Sequence, residues 1–385
     1  MKLRPATVVC CAVLLLIAYG SLYPFNFRAW AATPGRIAGL LQLATWTTLS
    51  DSLGNVALFL PLGATVVGVL TGARHARAWL IIICLTTLIY ATSLQVLQLW
   101  LPSRSATTAD ILWNMVGFGL GLAIGVVGLR VARANHWALT PVRYMGLALI
   151  AIWALGEVLP LVPSLDLQWL RRNLRQLWVM PRIEWVWLFY NAGGVALVAA
   201  IWGELFDRRR ALFLTVFSVL VVFGLELISV DRRITLTTPL GYLLGLAIWI
   251  AVSRRHSNVR VGVVVALVVV GYTLAALAPF EFRSLPARMN WTPFAAMMRG
   301  AMAINAASLF EASFMLLAPI VILQAVGQRA RLFTLIWALW TLGLELIQTR
   351  IVGRVADVTL PIIVVCFGLW LARSSRYVRP DQLAR

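Results

Sequence analysis

The chain has 385 residues, 61% of them hydrophobic and only 12% charged, with a mean hydropathy of +0.87. That much apolar surface excludes an ordinary soluble protein, which could not hide it. The formal charge of +19 comes from 33 Lys and Arg residues scattered between apolar runs, which argues against the concentrated basic footprint of a nucleic-acid binder.

Apolar runs of about 20 residues, each long enough to cross a hydrocarbon layer of ~30 Å as a helix, recur from end to end. The first four lie at 6–23, 51–72, 79–100 and 108–130. The next lie at 144–163, 184–204, 210–230 and 236–253, and the last at 259–279, 305–327, 331–349 and 355–373. The pattern predicts an all-α polytopic membrane protein with about 12 transmembrane helices. MKLRP, an apolar stretch and Ala29-Trp30-Ala31 together outline a secretory signal. The run from Ala6 to Tyr23 is long for such a core, however, so a retained first helix is expected. A modest majority of the basic residues falls in short segments that are inside when the amino terminus is cytoplasmic. That distribution predicts both termini on the cytoplasmic side of a bacterial plasma membrane. Between the fifth and sixth runs, residues 164–183 carry Arg171, Arg172 and Arg175 with Trp169 and Trp178, the make-up of an interfacial amphipathic helix.

One phrase is written twice. Residues 22–28 read LYPFNFR and residues 277–283 read LAPFEFR. After the first copy, Asp51 and Asn55 lead into Phe59-Leu60-Pro61-Leu62-Gly63, and after the second, Glu311 leads into Leu316-Leu317-Ala318-Pro319. The third run of each set carries Gln95 and Gln98, then Glu226 with Ser229, then Glu345 and Gln348. Arg104, Arg233 and Arg354 follow, and the fourth run opens on TTAD (107–110), TTP (237–239) or RVAD (354–357). The expected organisation is three parallel four-helix repeats at 1–135, 140–256 and 257–385, with the middle one most eroded.

The order YPFNF, D-x-x-x-N with FLPLG, a polar pair, an arginine and TTADILWN resembles the VanZ-like family, named for a membrane protein associated with teicoplanin resistance. The resemblance is strongest over about residues 20–130 and partial in the last set. It implies an integral membrane protein connected with the cell envelope and with glycopeptide-antibiotic sensitivity. The family pattern places an acid at the first polar position of the third helix. This chain has Gln95 there in the first set, against Glu226 and Glu345 in the others.

Most acids sit near the predicted outer boundary, where an ionised side chain needs a partner or a wet cavity. Arg28, Arg104, Arg233, Arg283 and Arg354 lie at the same predicted depth as Asp51, Asp110, Glu226, Glu345 and Asp357 and are the expected partners. Gln95 and Gln98, Glu345 and Gln348, and Asp110 and Asn114 are spaced to share helix faces, and Asn55 completes the motif begun by Asp51. Interface anchoring and helix-dipole effects account for part of this pattern equally well. The functional expectation is an outward polar pocket for an anionic or glycosylated lipid head group, the partners being membrane lipids or a lipid-linked cell-wall precursor. A transporter or flippase is the alternative, because Pro61, Pro319 and Pro361 could break helices. An enzyme is third, as a carboxylate can act as base without metal. No G-x-S-x-G, H-E-x-x-H or Walker motif is present, and His75, His136 and His256 lie in predicted inner loops. Cys10, Cys11, Cys84 and Cys366 have no ligand spacing, so neither metal nor cofactor is expected.

Overall fold

The structure is a computed structural model. It describes residues 5–23, 25–41, 49–71, 73–134, 141–159, 167–179, 183–229, 234–296, 302–327 and 330–374. Among these residues the regular structure is helical, with two isolated β-bridges. Each of the twelve predicted segments contains a helix. Among the described residues six helices are long and apolar enough to cross a membrane, and five shorter helices are apolar. The chain divides into two compact units, residues 1–138 and 139–385.

The first unit holds α1 (Pro5–Leu22), α2 (Pro34–Leu41), α3 (Leu49–Leu70), α4 (Ala76–Gln98) and α5 (Thr108–Ala134). Helix α2 was not among the predicted spans, being far too short to cross a bilayer. Helices α3 and α5 pack most closely, backbone against backbone. A Cβ at Gly63 would lie 2.0 Å from the Phe118 carbonyl oxygen, and one at Gly121 would lie 2.1 Å from that of Leu60. Glycine is required at both positions, and this is how membrane helices without a hydrophobic drive gain contact area. Ile17, Phe59, Leu62, Val66, Ala91, Leu94 and Phe118 close the core.

The second unit holds α6 (Pro141–Val158), α7 (Leu167–Val179), α8 (Trp185–Leu205), α9 (Arg208–Ile228) and α10 (Thr237–Val252). It continues with α11 (Ser257–Leu277), α12 (Met302–Ala325), α13 (Ala330–Gln348) and α14 (Thr359–Ser374). Helix α7 falls on the expected amphipathic segment; Arg171 and Arg175 are exposed while Asn173 is buried against the α9 carbonyl of Leu227. Helix α8 runs through the middle, with Val195 to Ala199 fully buried, and Phe314 to Ile322 of α12 pack into the same core. The prolines do not break helices as expected. Helix α3 continues through Pro61 and α12 through Pro319. Pro361 stands in the first turn of α14, where a missing N–H costs nothing.

Several helices turn apolar stripes outward. Ile81, Leu85, Leu88 and Ile89 of α4, Phe213, Phe217 and Leu220 of α9, and Leu332, Leu335, Ile336 and Leu339 of α13 are all exposed. Stripes of that size on three long helices are the surface of a protein solvated by lipid.

Candidate functional site

The two copies of the repeated phrase fold alike. Phe25 and Phe280 both adopt left-handed backbone conformations, with φ of 60° and 64°. The N–H of Phe25 bonds the Leu22 carbonyl at 2.8 Å, and that of Phe280 bonds the Leu277 carbonyl at 2.9 Å. A bulky residue rarely takes this conformation, and here it turns the chain off the ends of α1 and α11. Phe25, Phe27 and Trp30 are exposed, as are Phe280, Phe282 and Trp291.

Each phrase is gripped by an arginine from a later loop. Arg104, between α4 and α5, donates from Nε to the Tyr23 carbonyl at 3.2 Å and from Nη2 to that of Gly20 at 3.0 Å. Arg354, between α13 and α14, donates from Nε to the Ala278 carbonyl at 2.7 Å and from Nη2 to that of Ala275. The same number of residues separates Gly20 from Ala275, Tyr23 from Ala278 and Arg28 from Arg283. A cation at the last carbonyls of a helix satisfies orphan acceptors and complements the dipole. Partial burial lowers the Arg104 pKa from its ordinary value, yet an arginine stays charged throughout the physiological range. The expected arginine–carboxylate pairs at these positions are therefore replaced by arginine–carbonyl contacts. Among the described residues, ion pairs join Arg260 to Glu204 at 2.6 Å and Arg210 to Asp207 at 3.3 Å, both on the predicted inner side.

The loops bearing the arginines also match. The buried Gln95 side chain accepts the Thr107 N–H at 3.2 Å, and the buried Glu345 carboxylate accepts the Asp357 N–H at 2.9 Å. In this register Asp357 stands where Thr107 does. It does not align with Asp110, as TTAD beside RVAD suggests. Asp357 also accepts from the N–H groups of Thr359 at 2.6 Å and Ala296 at 3.1 Å, which anchors the start of α14. Arg28 and Arg283 correspond in their backbones, whose N–H groups bond the Trp100 and Arg350 carbonyls at 2.8 and 2.7 Å. Their side chains do not correspond. Arg283 donates to the Ile351 carbonyl at 2.6 Å, whereas the Arg28 side chain is exposed. Its counterpart contact comes from Arg36 of α2, which donates to the carbonyls of Ala31, Gln98, Leu101 and Arg104.

The remaining candidates divide between positions. Gln98 donates to the Ser21 carbonyl at 2.9 Å. Asn55 donates to Asp110 at 2.6 Å, and Asn114 is buried one turn further along α5. Glu226 is buried and accepts from the Tyr242 hydroxyl at 3.3 Å. Gln348 is half-buried at the end of α13. The side chain of Asp51 and all of Arg233 lie outside the described residues. Arg354 lines an open concavity of about 440 Å³ with Ala278, Pro279, Val352 and Gly353. Among the described residues no three His, Cys, Asp or Glu side chains gather as they would around a transition metal. Sequence reasoning missed Arg36, whose contacts with Gln98, Leu101 and Arg104 each span more than 60 residues, and Thr107, whose backbone N–H rather than its side chain meets Gln95.

Helical composition, lipid-facing stripes and arginine-capped helix ends define an α-helical membrane protein. Residues 9–129, which run from α1 through most of α5, match the model of the VanZ/LLP1 family. No curated protein and no solved structure matches the chain.

Proposed function

We propose that this is a cell-envelope protein crossing the bacterial plasma membrane twelve times, in three parallel four-helix repeats with both termini cytoplasmic. In this reading it binds an anionic or glycosylated lipid head group on its outer face and thereby affects glycopeptide-antibiotic sensitivity. Membrane lipids, among them a lipid-linked cell-wall precursor, are the partners. The observation that carries the reading is the concavity beside Arg354, bordered by residues of the twice-written phrase and its gripping loop. Two of the guanidinium's nitrogens bond carbonyls, which leaves the third nitrogen and the full positive charge for a phosphate. The exposed rings of Phe280, Phe282 and Trp291 suit the headgroup layer of a bilayer. The first unit supports the same reading with Arg104 and the exposed Arg28 beside Phe25 and Phe27.

The test is binding of the purified protein to nanodiscs of anionic against zwitterionic lipid, for wild type, Arg28→Ala and Arg354→Ala. Preference for anionic lipid should fall in both variants, while thermal unfolding separates the scaffold role of Arg354 from binding. Equal affinity for both lipids, or wild-type preference in both variants, overturns the head-group reading. Transport by a flippase-type mechanism is the second reading, motivated by the phrase written twice at 22–28 and 277–283, since many transporters are built from internal repeats. Passage of a labelled lipid across proteoliposomes distinguishes it from binding alone.

A further inference from the structure

We infer that the start of α9 binds an anionic phospholipid, with the phosphate on Arg208 and Arg209 and an acyl chain along the outward face of the helix. Three consecutive arginines, Arg208 to Arg210, form the first turn of α9, and all are exposed. Asp207 caps the helix by accepting the Arg210 N–H at 3.3 Å, and its carboxylate pairs with the Arg210 guanidinium at 3.3 Å. Among the described residues neither Arg208 nor Arg209 is joined to a carboxylate. Cations in the first turn of a helix oppose its dipole, so this pair calls for an anion from outside the chain. Phe213 and Phe217 follow Arg209 at four and eight residues, on the same face, and Leu220 continues the column. They are 68%, 55% and 64% exposed, and the two phenyl rings stack with centroids 6.3 Å apart. Ala211 and Thr215, on the opposite side of the helix, are buried. A cation at the helix end above an apolar column about 16 Å long has the layout of a phospholipid, head group and chain.

A second turn at the same end strengthens the positive field. Glu204 of α8 accepts from Arg260 of α11 at 2.6 Å, and the Arg260 guanidinium lies 5.6 Å from the centre of the Trp249 ring of α10. These contacts tie the turn between α8 and α9 to the turn between α10 and α11, which carries the exposed Arg254 and Arg255. Glu204 and Asp207, the acids of the two turns, are thus taken up by Arg260 and Arg210. Arginine suits a phosphodiester because its planar fork offers paired hydrogen bonds. A free phosphate would use the arginines and leave the phenylalanine column idle, so the geometry favours a lipid. Helices α4 and α13 provide the contrast. Each has one exposed arginine in its first turn, Arg77 or Arg331, above an outward stripe, the arrangement of an ordinary interface anchor. The 21 residues of α11 span ~30 Å from this end to the second copy of the repeated phrase. The site therefore lies apart from the Arg354 concavity and does not rest on the head-group reading.

The experiment uses the full-length protein, purified in detergent and stripped of lipid. Native mass spectrometry counts bound phosphatidylglycerol, with phosphatidylcholine and free glycerol phosphate as comparison probes, and thermal unfolding follows the same titrations. Wild type should retain phosphatidylglycerol in preference to phosphatidylcholine and gain Tm with its concentration, while glycerol phosphate leaves Tm unchanged. Arg208→Gln combined with Arg209→Gln should weaken phosphatidylglycerol binding about tenfold or more. Phe213→Ala combined with Phe217→Ala should weaken it as well, by removing the acyl-chain contact. Arg331→Gln, at an ordinary anchor, and Arg354→Ala, at the opposite end, should keep the phosphatidylglycerol that the arginine double variant loses. Equal retention of the two lipids, wild-type binding by the arginine double variant, or an equal loss in Arg331→Gln overturns the inference. Stabilisation by glycerol phosphate would give the arginines to a soluble anion and overturn it too. A loss confined to Arg354→Ala would overturn this site while supporting the head-group reading, so the two fail separately.

Discussion

The Glu345 carboxylate accepts the backbone N–H of Asp357, closing the loop between α13 and α14 with one buried hydrogen bond of 2.9 Å. In the first unit a neutral amide, Gln95, does the same for Thr107. The bond needs an acceptor oxygen and no charge, so the scaffold role and any role of the charge can be separated at this residue. Glu345→Gln should fold with stability within about 1 kcal/mol of wild type, whereas Glu345→Ala strands a buried N–H and should lose about 1–3 kcal/mol. Chemical denaturation in detergent measures both. Loss of anionic-lipid preference in Glu345→Gln, with stability retained, assigns a function to the charge; retention of both makes Glu345 scaffold.

Arg36 and Arg28 look alike in sequence and should differ sharply on mutation. Arg36 donates to four backbone carbonyls that join α2 to the loop after α4. Arg36→Ala should lower stability by about 2–4 kcal/mol, since bonds to a charged donor are stronger than neutral ones. Arg28→Ala should stay within about 0.5 kcal/mol, as expected for an exposed side chain. Similar losses in the two variants would contradict the geometry.

Glycines of α5 are not equivalent. Gly121 meets the α3 backbone, whereas a Cβ at Gly119 has nothing within 4 Å. Gly121→Ala forces α3 and α5 apart and should cost more than about 2 kcal/mol. Gly119→Ala should be neutral or stabilising by a few tenths, because alanine is the better helix former. Thermal unfolding of the two variants side by side checks the seam that positions Asn55 and Asp110.

The helices were legible because runs of about 20 apolar residues leave the backbone no other way to satisfy its hydrogen bonds in lipid. Helix α2 was not legible as part of this frame, since PGRIAGLL is short and its anchoring depends on Arg36 reaching carbonyls distant in sequence. The recurrence of the phrase around Phe25 and Phe280 was visible as text, and its left-handed turn was not. Arg104 and Arg354 stood out by position, but the sequence suggested carboxylates as partners. A carbonyl acceptor belongs to every residue and leaves no mark in the side-chain pattern. For the same reason TTAD and RVAD invited the wrong register: the side chains align one way and the backbone hydrogen bonds another.

The most direct measurement is cysteine accessibility from either side of the membrane. Cys10, Cys11, Cys84 and Cys366 are first replaced by alanine or serine, and Ser103→Cys and Val352→Cys are introduced singly into the two exposed loop sites. A membrane-impermeant maleimide applied to intact spheroplasts should label both positions. Labelling of either one only after the cytoplasmic side is opened would contradict the outward placement of these loops.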